Sequence, residues 1–198
     1  MFDILVPARI IFGSGTAGRL GEETLRYGQR ALLVTGKKSL VEGGGIDRIY
    51  PPLRAAGVEV IHFSGVDPEP TVKEVDDGRE LVRKEAVNVV IGVGGGSALD
   101  VAKAVAGLAR EEGETIDYFN GRPITRPGIP FVAVPTTAGS GAEATKNSVL
   151  VDPDTRRKQS IRSDLWMARS VIVDPILTFT APRRVTAHSG MDAFTHAL

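Results

Sequence analysis

Residues 89–106 read VVIGVGGGSALDVAKAVA. A short apolar run meets three consecutive glycines, Gly94, Gly95 and Gly96, and a helix is predicted to open at Ser97. Glycines let a diphosphate come close to the backbone, and free N–H groups at a helix N-terminus attract its charge. Asp100 and Lys103 follow on the same helix. A permissive turn without any ligand would need the same glycines for their backbone freedom alone. A second stretch, PTTAGSGAE (135–143), also follows an apolar run. Thr136, Thr137 and Ser140 there offer donors to a phosphate, a ribose or an amide. Taken singly, it also describes an ordinary loop whose hydroxyls cap their own backbone.

A third stretch, GSGTAG (13–18), has the G-x-G-x-x-G spacing. As a dinucleotide fingerprint it needs an acid at the end of the next strand. That strand ends VTGKKS, without one, so a glycine-rich turn into a helix is the better reading. Asp192 and His196 stand four apart and share one face of a helix. A carboxylate oxygen with an imidazole nitrogen suits a divalent iron or zinc ion. Two donors are not a site, and for the pair taken alone a cap beside a half-buried histidine is the stronger reading. Ser189 and Asp192 fit a capping-box spacing, with a shorter acid than the usual Glu. This reading leaves His188 outside the helical face, ahead of the cap. His62 ends a strand and reads as structural.

The elements that must position these residues alternate between strand and helix. Strands are predicted at 8–13, 31–36, 58–63, 87–92, 131–135 and 170–175, and helices at 45–56 and from an N-cap at Thr71 to Glu85. Such alternation means a parallel sheet covered on both faces, with ligands at the carboxyl ends of its strands. Gly36, Gly92–Gly96 and Pro135–Gly141 all fall at such ends. Residues 181–188 read as a break before a last helix at SGMDAFTHAL. That helix still has no stop signal nine residues past Ser189.

Composition narrows the classes. The 198 residues are 42% hydrophobic, enough for a full core, and 24 basic residues balance 24 acidic ones. A zero net charge gives no reason to expect a nucleic-acid partner. No apolar run approaches the about 18 residues of a membrane span, and the N-terminus lacks the features of a signal peptide. Without cysteine there is neither a disulfide framework nor a thiolate metal site. A cytoplasmic protein is the default expectation.

Together the motifs resemble the iron-containing alcohol dehydrogenase family. GGGSALDVAKAVA is similar to its glycine-serine loop, VPTTAGSGAEAT to its second cofactor loop, and GMDAFTHAL to its first metal-binding helix. The order and spacing match along essentially the whole chain. Glycerol and sugar-phosphate dehydrogenases of the superfamily usually have another residue where Ser97 stands. Maleylacetate reductases usually lack the aspartate at Asp100 and the metal-binding residues.

The resemblance implies an α/β fold, a Rossmann-like nucleotide-binding domain over 1–178 with a mostly parallel sheet. Residues 179–198 would begin an all-helical metal-binding domain that the chain does not complete. By the resemblance, Gly94, Gly95, Gly96 and Ser97 hold the diphosphate. Asp100, Thr136, Thr137 and Ser140 line the nicotinamide and its ribose. Asn147 and Lys158 match cofactor contacts, and Asp192 and His196 match the first two of four ligands to iron or zinc. Family members that prefer NAD often carry an acid after the second strand. Here Gly36 stands in that stretch, followed by Lys37, Lys38 and Ser39. Gly36 removes a repulsion to a 2′-phosphate and the next residues offer charge and donors, so NADP is expected ahead of NAD. The expected substrate is a small alcohol or aldehyde, the isolated chain is expected to bind nucleotide without turnover, and the strand Ala8–Phe12 is a candidate homodimer contact. The alternative is a non-enzymatic nucleotide-binding module, or a subunit completed by another chain.

Overall fold

The computed structural model describes residues 3–37, 40 and 43–198. Its strands are β1 (Ile10–Phe12), β2 (Arg30–Gly36), β3 (Glu59–Val66), β4 (Val89–Gly94), β5 (Phe131–Pro135), β6 (Asn147–Asp152), β7 (Arg157–Arg162) and β8 (Ser170–Val173). Its α-helices are α1 (Leu20–Leu25), α2 (Ile46–Ala55), α3 (Val72–Lys84), α4 (Gly96–Leu108), α5 (Thr115–Phe119) and α6 (Arg183–Ala197). Six strands form one parallel sheet in the order β1-β8-β5-β4-β2-β3. This is a Rossmann-like arrangement.

Side-chain alternation divides the core into two layers. Leu32 and Val34 of β2 point to the layer shared with α3 and α4, together with Val90 and Ala133. Ala31 and Leu33 point to the opposite layer, with Leu20, Ile49 and Leu53 of α1 and α2. The central strand β4 is buried along its whole length. Helix α4 is buried from Ala98 to Leu108, and its small residues let it lie close to the sheet. A Cβ built on Gly92 would stand 2.7 Å from the Cβ of Ala102.

Helix α3 starts as predicted. The Thr71 hydroxyl accepts the Glu74 N–H at 3.2 Å, and the Glu74 carboxylate accepts the Thr71 N–H at 2.7 Å. This closes a reciprocal capping box.

Helix α5 was not predicted, and two larger regions also differ from expectation. The antiparallel hairpin β6–β7 has no counterpart in the sequence reading. Its buried positions on β6 are Ser148, Leu150 and Asp152, so polar residues point inward and the hydrophobic alternation runs against the burial. The last helix is also longer than predicted. It opens at Arg183 after Pro182, a residue whose fixed φ suits a helix start. Residues 183–188 are therefore helix rather than a break, and no capping box forms at Ser189. The Ser189 hydroxyl instead donates to the Val185 carbonyl one turn back, at 2.6 Å. No residue of α6 is buried.

Candidate functional site

The sheet changes direction between β2 and β4. From β2 the chain moves outward to β3, and from β4 it moves the other way to β5. The crevice at such a switch point, beyond the carboxyl ends of the strands, is where open α/β sheets take ligands. Gly36 ends β2, Val66 ends β3, Gly94 ends β4 and Pro135 ends β5, so the loops singled out in the sequence converge on one edge.

A cavity of about 470 Å³ occupies this crevice, with Gly36, Lys37, Asp67, Gly94, Gly95, Ser97, Thr136 and Thr137 among its walls. A second, of about 380 Å³, shares Gly95, Thr137 and Val185 with it and extends to Gly96, Ser140, His188 and Asp192. The two form one cleft running from the end of β2, across the glycine loop, to the exposed helix α6.

The glycine loop has the features an anion needs. Helix α4 opens on Gly95 without a side-chain cap, and the first N–H groups of a helix have no acceptor within it. Gly94 has φ 153, which side chains rarely tolerate. A Cβ on Gly96 would lie 3.0 Å from Ser140 Oγ, so the space between the two loops depends on its absence. The helix opens one residue before Ser97. The Ser97 hydroxyl donates to the Pro68 carbonyl at 2.7 Å, which fastens the turn after β3 to the glycine loop. In this state the hydroxyl is engaged by the protein itself, and the backbone N–H groups are what the loop offers to an anion.

GSGTAG folds as the turn-into-helix reading requires. Gly15 N–H donates to Asp174 Oδ1 at 3.1 Å and Ala17 N–H to Asp174 Oδ2 at 3.0 Å. The anion position at this helix start is filled by the chain's own buried carboxylate.

Asp100, Asn147 and Lys158 lie beside the cleft rather than in its walls. Asp100 Oδ2 accepts the Val149 N–H at 3.0 Å. Burial pushes its carboxyl up to about 6, against the Val149 hydrogen bond and the charges of Lys103 and Lys158. Asn147 begins β6, and its carbonyl accepts from Lys103 Nζ at 2.6 Å. Lys158 is exposed and pairs with Glu69 at 2.8 Å.

Lys103 had no role in the sequence reading beyond its place in the motif. Its Nζ also donates to the Ala142 carbonyl at 2.6 Å and to Thr145 Oγ1 at 3.3 Å. It therefore fixes the loop after β5 to the hairpin, and burial lowers it to about 8. Its signal in the sequence is a lysine inside a helix that is apolar from Val101 to Leu108 but for that residue. Asp67, the first residue after β3, was missed as well. It forms an ion pair with Lys37 at the wall of the cleft. Lys38 and Ser39 lie outside the described residues.

Asp192 and His196 share one exposed face of α6, with Oδ1 and Nε2 3.9 Å apart. The two donors, a carboxylate oxygen and an imidazole nitrogen, are of the types a divalent iron or zinc ion takes. No group of three or more His, Cys, Asp or Glu residues that could hold a metal is present among the described residues. Because α6 begins at Arg183, His188 is helical and stands one turn before Asp192, on the wall of the cleft. The loop after β5 meets this helix closely, and a Cβ on Gly139 would lie 2.6 Å from the Ser189 carbonyl oxygen. His62 is structural, as predicted. Its Nε2 bonds with Thr35 Oγ1 at 2.8 Å and its ring meets Tyr50 edge-on. No helix among the described residues is long and apolar enough to cross a membrane.

Comparison with known proteins agrees with this fold. The chain is 40% identical over 200 residues to 1,3-propanediol dehydrogenase of Citrobacter freundii, covering 100% of this chain and 52% of that protein. It is 40% identical to long-chain-alcohol dehydrogenase 1 of Geobacillus thermodenitrificans (strain NG80-2), covering 96% and 50%. The crystal structure of NADH-dependent butanol dehydrogenase A from Thermotoga maritima superposes with a TM-score of 0.92 at 33% identity, over 99% of this chain and 50% of that one. The chain thus spans about half the length of these relatives. The sequence model for the iron-containing alcohol dehydrogenases matches residues 7–175, and the chain belongs to that family.

Proposed function

We propose that this chain is the cofactor-binding part of an oxidoreductase that transfers hydride between NAD(P)H and a small alcohol or aldehyde. The observation that carries this reading is the single cleft that joins Gly36, the uncapped N-terminus of α4 and Asp192. Gly36 and Lys37 would hold the adenosine ribose of a dinucleotide, the N–H groups of Gly95–Ser97 its diphosphate, and Thr137 and Ser140 its nicotinamide end. Lys103 and Asp100 hold the second loop and the hairpin in register with the first, which keeps the nicotinamide end shaped. Positioning of this kind is the protein's main contribution to hydride transfer.

Asp192 and His196 would hold the metal through one oxygen and one nitrogen. A divalent ion bound there supplies Lewis acidity that lowers the pKa of the alcohol. Iron and zinc both accept such donors. Coordination by either needs more than two protein ligands, so turnover depends on donors beyond this pair. We place the boundary of the nucleotide-binding unit near residue 178, because α6 contributes nothing to the core. The outer edge of β1, with Ile10 and Phe12 exposed, is our candidate homodimer contact.

NADP(H) is the expected first choice. A Cβ on Gly36 would meet nothing nearer than the Val66 carbonyl at 3.9 Å. Among the described residues beyond its chain neighbours no side chain fills that corner, and Lys37 lies at the wall of the cleft. A calorimetric titration of the chain with NADP+ and NAD+ tests the reading, and binding of neither would overturn it. If dinucleotide binds but no added metal ion or partner chain brings turnover of alcohols or aldehydes, the non-enzymatic binding module gains.

A further inference from the structure

We propose that Asp67 is a selectivity residue of the cleft, opposing Lys37 and restraining the preference for a 2′-phosphorylated dinucleotide. The inference rests on the dinucleotide reading above. The register between β2 and β3 shifts at Thr35/Gly36, so that Gly36 lies opposite Val66. The next residue of each strand, Lys37 and Asp67, therefore leaves the sheet side by side. The two form an ion pair and both line the cleft at the corner vacated by Gly36.

The carboxylate is held at that corner by its backbone. The Asp67 N–H donates to Glu74 Oε1 at 2.8 Å. The adjacent Pro68 carbonyl accepts from Ser97 of the glycine loop at 2.7 Å, and the Pro70 carbonyl accepts the Val151 N–H at 2.8 Å. The turn is thus fastened to α3, to the glycine loop and to the hairpin. Asp67 stands where an acid at the end of β2 would otherwise act, reached from the neighbouring strand. A carboxylate there accepts hydrogen bonds from the hydroxyls of an unmodified ribose and repels a 2′-phosphate. It also occupies the lysine that such a phosphate needs. Lys37 and Asp67 are 52% and 48% exposed, so the effect is that of a screened rim charge, about tenfold rather than thousandfold.

The test is calorimetric titration of the chain and its variants with NADP+ and NAD+ at low salt. Asp67→Asn raises the ratio of NADP+ to NAD+ affinity about tenfold, and the gain shrinks as salt is added. Adding Lys37→Met to that variant removes most of the gain, which a purely structural role for Asp67 would not produce. Glu69→Gln, which releases Lys158 instead, leaves the ratio within about twofold. Asp67→Ser serves as the second variant if thermal melting shows the first to be unfolded. An unchanged or lowered ratio in the Asp67 variants, with both dinucleotides still bound, overturns the proposal. An equal shift from Glu69→Gln overturns it too. A parent chain that binds neither dinucleotide overturns the underlying reading instead, so the two failures are distinguishable.

Discussion

Two glycine-rich turns follow parallel strands in this protein, and they use their glycines differently. GSGTAG, after β1, has the formal dinucleotide spacing, yet its N–H groups are consumed by Asp174 of the β8 end. GVGGGS, after β4, lacks that spacing, yet its helix opens uncapped into a cleft. Spacing marks where a chain can turn closely. Whether the turn then binds a ligand depends on what already satisfies its donors, because an anion gains only from N–H groups that the protein leaves unpaired. The location is also decisive, since β4 borders the switch point of the sheet and β1 lies at its edge.

The comparison breaks most readily at Gly96. Valine there fills the gap to Ser140 and should cost at least about a hundredfold in dinucleotide affinity, near 3 kcal/mol. Circular dichroism should show the fold retained. The corresponding change at the other turn, Asp174→Ala, strands the Gly15, Ala17 and Ile176 N–H groups. It should destabilise the chain by about 3 kcal/mol in urea melts and create no new nucleotide affinity. Appearance of a second nucleotide site would mean that the two turns are equivalent after all.

Asp100 sharpens the contrast from another side, as a buried carboxylate with one backbone donor instead of several. Its folded pKa lies above the ordinary carboxylate value, so the folded state holds its proton to higher pH. Stability is then greatest below about pH 4 from this group and falls as pH rises to about 6, by up to about 3 kcal/mol. Asp100→Asn should keep the Val149 hydrogen bond and remove that slope. A slope unchanged in the variant would assign it to other groups. The smallest expected effect is at Gly36, where aspartate should move the dinucleotide ratio toward NAD by about tenfold, roughly 1.4 kcal/mol. An unaltered ratio would place the ribose elsewhere.

Much of the positioning frame was legible in the sequence. The buried strands announce themselves as continuous apolar runs, since both faces of a parallel sheet are covered. The capping box at Thr71 follows from side-chain chemistry three residues apart. The hairpin β6–β7 was not legible because its inward residues, Ser148 and Asp152, are polar and are satisfied by partners distant in sequence or in a turn. Ser148 bonds the Asp100 carbonyl, and Asp152 accepts from Asp154 and Thr155. The start of α6 was misplaced because Ser189 has two local solutions, capping a helix or bonding back within one, and the chain adopts the second.

By itself, the sequence determined the alternation of elements, the glycine-serine loop, the hydroxyl loop and the Asp192–His196 pair, all of which depend on neighbours within a few residues. Tertiary structure alone decided that Asp174 occupies the donors of the GSGTAG turn, that Lys103 ties two distant loops together, and that Asp67 meets Lys37. Each of those outcomes is a contact between residues tens of positions apart, and only the order and register of the strands bring them together.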